Sequence, residues 1–302
     1  MLWLALAFSG PVLWAASTHL DKYLVERYFK DSNVAVLLVF TALIGLAALP
    51  VIWLSVPRVI AVDFKSASIM ALSGVLYMGA MLLYLRALQS EEASVVAPFY
   101  QAAPVFGYLL GYLVLGEVLS GPQLAGGALI VVGMLLVSVR SSQRVVNLKI
   151  ELIARMLGCA FILALTSLIF KIYALRDEFW PTTFWMYAGE ALFGAALLAV
   201  GRCRKQFFDL LRSSPGAVLS INAANELINL GGGLGTRYAL VLAPLGLVQA
   251  IGSTTTLFVF AFGIILSVLF PALGREKVSK RELMQKGAAA ILVAAGAFLV
   301  TR

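Results

Sequence analysis

Ala87-Leu-Gln-Ser-Glu-Glu-Ala-Ser-Val-Val96 and Ala239-Leu-Val-Leu-Ala-Pro-Leu-Gly-Leu-Val248 align without a gap. In each, an Ala-Leu pair is followed at the same distance by a small, apolar run: Ala93 to Val96 in one, Leu245 to Val248 in the other. The match extends outward in both directions. Leu115-Gly-Glu117 resembles Leu273-Gly-Arg-Glu276, Ile130-Val-Val-Gly133 resembles Val293-Ala-Ala-Gly296, and upstream Thr18 to Lys22 can be set against Ser167 to Lys171. The chain therefore reads as two related halves, 1–141 and 150–302. Self-similarity of this kind settles architecture before any single motif does.

The solvent of those halves follows from composition. Of 302 residues, 61% are hydrophobic and 13% charged, and the mean hydropathy is +0.95. Soluble domains carry about 25% charged residues, so most helix faces here lack side chains that suit water, and lipid is the solvent that tolerates them. Apolar runs fall at 2–23, 33–56, 67–89, 94–115, 122–140, 152–174, 180–201, 217–242, 246–271 and 283–301. Each is close to the roughly 20 residues that cross a bilayer as helix. The predicted fold class is an all-α integral membrane protein of ten transmembrane helices. With five spans per half, equivalent helices run in opposite directions. Such inverted repeats serve alternating access around a site near the midplane.

The matched segments also resemble a known family. Leu85-Arg-Ala-Leu88, Ala93-Ser-Val-Val-Ala-Pro98, Pro104-Val-Phe, Leu115-Gly-Glu117 and Gly127-Ala-Leu-Ile-Val-Val-Gly133 look like the EamA-type domain of the drug/metabolite transporter superfamily, with a second copy from about Arg237 to Val300. The resemblance implies ten helices, a central cavity and movement of a small metabolite, often outward. The second copy departs from the pattern. Ala250 stands where Pro98 does, and extra residues precede Glu276, which implies unequal gating by the halves.

Ionisable groups inside lipid are costly and mark functional positions. Glu190 lies mid-span in Trp185-Met-Tyr-Ala-Gly-Glu190, and Glu226 in Ile221-Asn-Ala-Ala-Asn-Glu226-Leu-Ile-Asn229. Asn222, Asn225, Glu226 and Asn229 are spaced i, i+3, i+4, i+7, which draws one polar stripe along a helix. The stripe faces either a water-filled cavity or a neighbouring helix as hydrogen-bonding glue; one carboxylate with three amides exceeds what packing needs. Lys22 and Lys171 occupy equivalent repeat positions, as cavity groups or as snorkelling side chains. His19 and Asp21 share the Lys22 region. Gln101 and Gln249 each offer a donor and an acceptor. Trp185 and Tyr187 stand beside Glu190 among the aromatics of a cavity wall. Glu117 and Glu276 read as helix-capping groups.

Several classes are excluded by what is missing. Phe64 precedes Lys65-Ser66, so there is no ATP-binding phosphate loop. One histidine and two cysteines, Cys159 and Cys203, give no metal motif and no disulfide framework, and no nucleophile elbow occurs. No cofactor is expected, and no enzyme. The charge of +8 comes from Lys and Arg in short loops rather than from a basic stripe, which argues against nucleic acid. The basic residues concentrate at Arg140, Arg144 and Lys149, at Arg202, Arg204, Lys205 and Arg212, and at Arg275, Lys277, Lys280 and Arg281. The positive-inside rule then puts these loops in the cytoplasm and both termini outside. The expected protein is a monomeric secondary transporter of the inner membrane. Its cargo is a small polar or amphipathic metabolite such as an amino acid, and its partners are lipid and, as a coupling ion, protons. Proton coupling is expected because burial favours the neutral form of a carboxyl group. Cationic drugs are the alternative cargo, since aromatic walls with carboxylates suit cations. An integral membrane enzyme acting on a lipid-linked substrate is a more distant alternative.

Overall fold

In this computed structural model, residues 2–28, 35–90, 102–138, 150–213, 215–269 and 280–302 are described. Their ordered elements are helices, with no strand among the described residues: α1 (Leu2–Tyr28), α2 (Ala35–Ser55), a short 3-10 turn (Pro57–Ile60), α3 (Phe64–Ser90), α4 (Ala103–Leu115), α5 (Gly121–Ser138), α6 (Ile150–Arg176), α7 (Phe179–Ala199), α8 (Gly201–Ser213), α9 (Pro215–Leu242), α10 (Leu245–Gly252), α11 (Thr255–Leu269) and α12 (Lys280–Leu299). A chain this apolar has no water along its flanks to satisfy the backbone, so each segment closes its own hydrogen bonds as helix.

Four of the described segments are long and apolar enough to cross a membrane: Ala35–Ser55, Phe64–Ala87, Glu151–Arg176 and Leu245–Leu266. The last spans α10 and α11. It breaks at Ser253 and Thr254, whose hydroxyls donate to the carbonyls of Ala250 and Ile251 at 2.6 and 2.7 Å. Ala103, at the start of α4, and Thr255, at the start of α11, are opposite each other when the gapless alignment of the halves is continued.

The basic stretch after the seventh apolar run differs from the loop expected there. Residues 201–213 form the helix α8, bent 96° from α7. Cys203, Phe207 and Leu210 are buried against Val36, Val39 and Phe40 of α2, while Arg202, Arg204, Lys205 and Arg212 point outward. Averaged along the chain the segment is polar. Sorted around a helix it has one apolar face, the pattern of a helix lying in a membrane interface.

Some of the packing is matched between the two repeats expected from the sequence, although the broad contact of α3 on α7 has only a small counterpart in α2 on α9. α1 lies on α9 as α3 lies on α6; α1 meets α11 as α6 meets α4; α5 packs on α12, and α4 on α10. Close crossings use glycine. A Cβ at Gly189 would stand 1.8 Å from the Ala71 carbonyl oxygen, and one at Gly74 would stand 2.0 Å from that of Met186, so α3 and α7 touch backbone to backbone. Such approach is how helices gain van der Waals contact in lipid, where no hydrophobic force drives them together. Cys159 and Cys203 are both buried free thiols.

Candidate functional site

The helices surround a cavity of about 470 Å³. α1 gives it Trp14 and Asp21; α2 gives Thr41; α3, Tyr77; α7, Tyr187 and Glu190; α9, Glu226, Asn229 and Arg237; and α10, Gln249. The volume suits a small metabolite.

Two polar centres lie on its wall. In the first, Arg237 Nη2 donates to Glu190 Oε1 at 2.9 Å, with the two side chains 13% and 4% exposed. The guanidinium sits 4.6 Å above the Tyr187 ring and 5.7 Å from that of Phe170. A buried charge needs a partner and hydrogen bonds, and stacking on an aromatic face suits a guanidinium's planarity. In the second, the Thr41 hydroxyl donates to Glu226 Oε1 at 3.0 Å, and Asn225 Nδ2 donates to Asp21 Oδ1 at 2.7 Å. The two centres share α9. Glu226 and Arg237 are eleven residues apart, close to three helical turns, so both meet the cavity from one face.

The structure distributes the residues singled out from the sequence unevenly. Glu190, Glu226, Asn229, Tyr187 and Gln249 line the cavity. Asn222 and Asn225 are buried on α9 but lie off it, Asn225 turned to Asp21. Trp185 is also off it, its indole N–H donating to the Val59 carbonyl at 2.9 Å, as is His19, whose Nε2 donates to the Val259 carbonyl at 2.9 Å. Lys171 is not a cavity group. It pairs with Glu117, whose Oε2 also accepts the Leu245 amide at 2.8 Å. Glu117 thus caps α10, a helix of the other half, rather than the helix that follows it. Gln101, Glu276 and the side chain of Lys22 lie outside the described residues.

Arg237 and Thr41 join the site without having been singled out by the sequence pattern, and Asp21, noted there only as a neighbour of Lys22, joins it too. Arg237 carries a usable signal: continued three turns further, the polar stripe through Glu226 and Asn229 reaches it. Its place at the start of a repeated motif masks that signal. Thr41 gives none, since a lone threonine in an apolar helix can bond its own preceding turn.

The first 139 residues match the EamA-like transporter family. An uncharacterised protein of Methanocaldococcus jannaschii is 34% identical over 98 residues, which covers 32% of this chain and 71% of that protein. Among solved structures, one crystal structure superposes with a TM-score of 0.71 at 16% identity, over 99% of this chain and 96% of the other; that likeness concerns the fold alone. Residues 1–139 of this chain thus form a segment of the EamA-like transporter family.

Proposed function

We propose that the chain is a secondary transporter that exports a small polar or amphipathic metabolite, such as an amino acid, by alternating access. The observation that carries the reading is the cavity wall, where Glu190, Glu226, Asp21 and Arg237 meet a space of metabolite size between helices of both halves. Charges are retained at such depth for a cargo or a coupling ion. The matched packing, α1 on α9 and α3 on α6, supports ten spans arranged as inverted repeats 1–141 and 150–302, which rock about the cavity. Glu226 is the proposed proton carrier, because its hydrogen-bond partner Thr41 is neutral, whereas Glu190 is held by Arg237. The outward basic face of α8 supports a cytoplasmic position for that helix and an outside position for both termini, in an inner membrane. A cysteine at Arg204 should then escape an impermeant thiol reagent in intact cells.

A second reading, export of organic cations, draws on three carboxylates facing one arginine beside Trp14, Tyr77 and Tyr187. The test is flux. Proteoliposomes loaded with amino acids should release one of them faster than protein-free vesicles, with acidification of the lumen if protons exchange. Release of quaternary amines alone would favour the second reading, and no release of either class would defeat both.

A further inference from the structure

Arg237 is only half used. Its Nη2 is committed to Glu190, but Nη1 is buried and has no hydrogen-bond partner among the described residues. A buried N–H of a charged group left unpaired is costly and uncommon. Tyr187 beneath the guanidinium and Glu190 at one edge fix its plane; the free edge is sealed in this conformation, so a cargo meets it when the cavity wall opens. Arg237 lines the cavity and is the only cation to do so among the described residues.

Building on the transporter reading, we infer that the free edge of Arg237 is the docking point for a carboxylate carried by the cargo. A carboxylate oxygen accepting from Nη1 satisfies the orphaned donor with a charge-assisted bond. A phosphate dianion fits less well. One free edge is too little compensation for two charges, and Glu190, Glu226 and Asp21 on the same wall repel it. An inorganic anion would satisfy the donor but would leave the apolar wall of Phe170, Leu240 and Val248 uncovered. The observations therefore favour a monocarboxylate with an apolar body. An amine on the same molecule would turn toward Glu226 and Asp21, which have neutral hydrogen-bond donors at Thr41 and Asn225.

The test is thermal unfolding of the purified chain in detergent and chloride-free buffer. The probes are leucine, phenylalanine and valine, each beside its carboxamide, its decarboxylated amine and its deaminated acid, with sodium chloride as the inorganic control. A ligand of the folded state raises Tm by mass action. At least one amino acid or deaminated acid should raise Tm where its carboxamide and amine do not. The double variant R237Q/E190Q removes both partners of the ion pair and leaves no stranded charge. It should bind that acid about tenfold or more weakly, the loss expected for a hydrogen bond to a charged group. R237K keeps the ion pair but lacks the fork, and should fall between them; it also serves as the test if the double variant does not fold. The inference is overturned if no carboxylate raises Tm, if chloride alone reproduces the shift, if amide or amine stabilises as well as the acid, or if the variants keep full affinity. The transporter reading fails separately: proteoliposomes that bind the acid but never move it would leave the carboxylate site standing without transport.

Discussion

Glu190 and Glu226 differ in what stands opposite them, and that difference predicts different behaviour on neutralisation. Glu226 bonds to a threonine. Glu226→Gln keeps acceptor and shape and strands no charge, so its Tm should stay close to wild type while transport and its pH dependence fall. Glu190 neutralises Arg237. Glu190→Gln leaves a buried guanidinium without its counter-charge, and breaking one side of a buried pair costs about 3–5 kcal/mol, less what the amide oxygen of glutamine retains. Its Tm should drop clearly, and adding Arg237→Gln should restore much of it, since the double variant holds no uncompensated charge. Unfolding of wild type, Glu190→Gln, Arg237→Gln and the double variant as a double-mutant cycle measures the coupling. If Glu190→Gln unfolds at the wild-type temperature, the ion pair contributes nothing to stability; if Glu226→Gln transports with wild-type rate and pH profile, Glu226 belongs to packing.

At the scale of elements, glycine placement separates contact from accident. Gly189→Ala puts a methyl group 1.8 Å from the Ala71 carbonyl oxygen, a backbone atom that cannot swing aside, so α3 and α7 must part, at a cost of about 1–3 kcal/mol. A methyl group on Gly158 of α6 would meet no described atom within 4 Å, so Gly158→Ala should be neutral or gain up to about 1 kcal/mol from helix propensity. Unfolding in detergent checks both; equal effects would mean that α3 and α7 do not cross as described. The start of α3 is pH-sensitive in a defined direction. Asp63 accepts the Ser66 amide at 3.0 Å, and bonds from the Ser66 hydroxyl and amide, with Arg176 nearby, hold its carboxyl below its ordinary value of 3.8. A depressed folded value stabilises above the unfolded one and fades as pH falls through the folded one. Asp63→Asn should therefore be less stable than wild type near neutrality, and the gap should close below pH 3.8; a gap that persists in acid would show that the cap does not titrate. These elements are legible in the sequence to different degrees. Long apolar runs and the stripe of Asn222, Asn225, Glu226 and Asn229 can be read because hydropathy and period are properties of one segment. α8 is hidden because its apolar face and basic face average to a polar loop. The Arg237–Glu190 pair is hidden because its partners come from different helices, and no local pattern records which helix lies opposite.

At the scale of the whole molecule, the proposed transport cycle requires the halves to rock, and one tie in the structure would resist them. Glu117 follows α4 in the first half. It pairs with Lys171 on α6 and caps Leu245 at the start of α10, both in the second half. Lys171 also bonds the Ala243 carbonyl, so one carboxylate and one ammonium, 15% and 7% exposed, tie three elements at one point. Rigid-body rocking that opens this end must break the tie, and a contact made in one state biases the equilibrium by its differential free energy alone. Glu117→Gln keeps an acceptor for the Leu245 amide but removes the charge facing Lys171, so the conformation open at this end should gain population. The reporter is Ala243→Cys, a small substitution at a position 5% exposed, in a chain whose Cys159 and Cys203 are changed to serine. Its labelling rate should rise in Glu117→Gln, about tenfold for each 1.4 kcal/mol by which the closed state is weakened. Glu117→Asp, which keeps the charge on a shorter side chain, should fall between the two. A lower Tm with unchanged labelling would make the tie a fixed strut of the fold, and the halves would then have to move about some other contact.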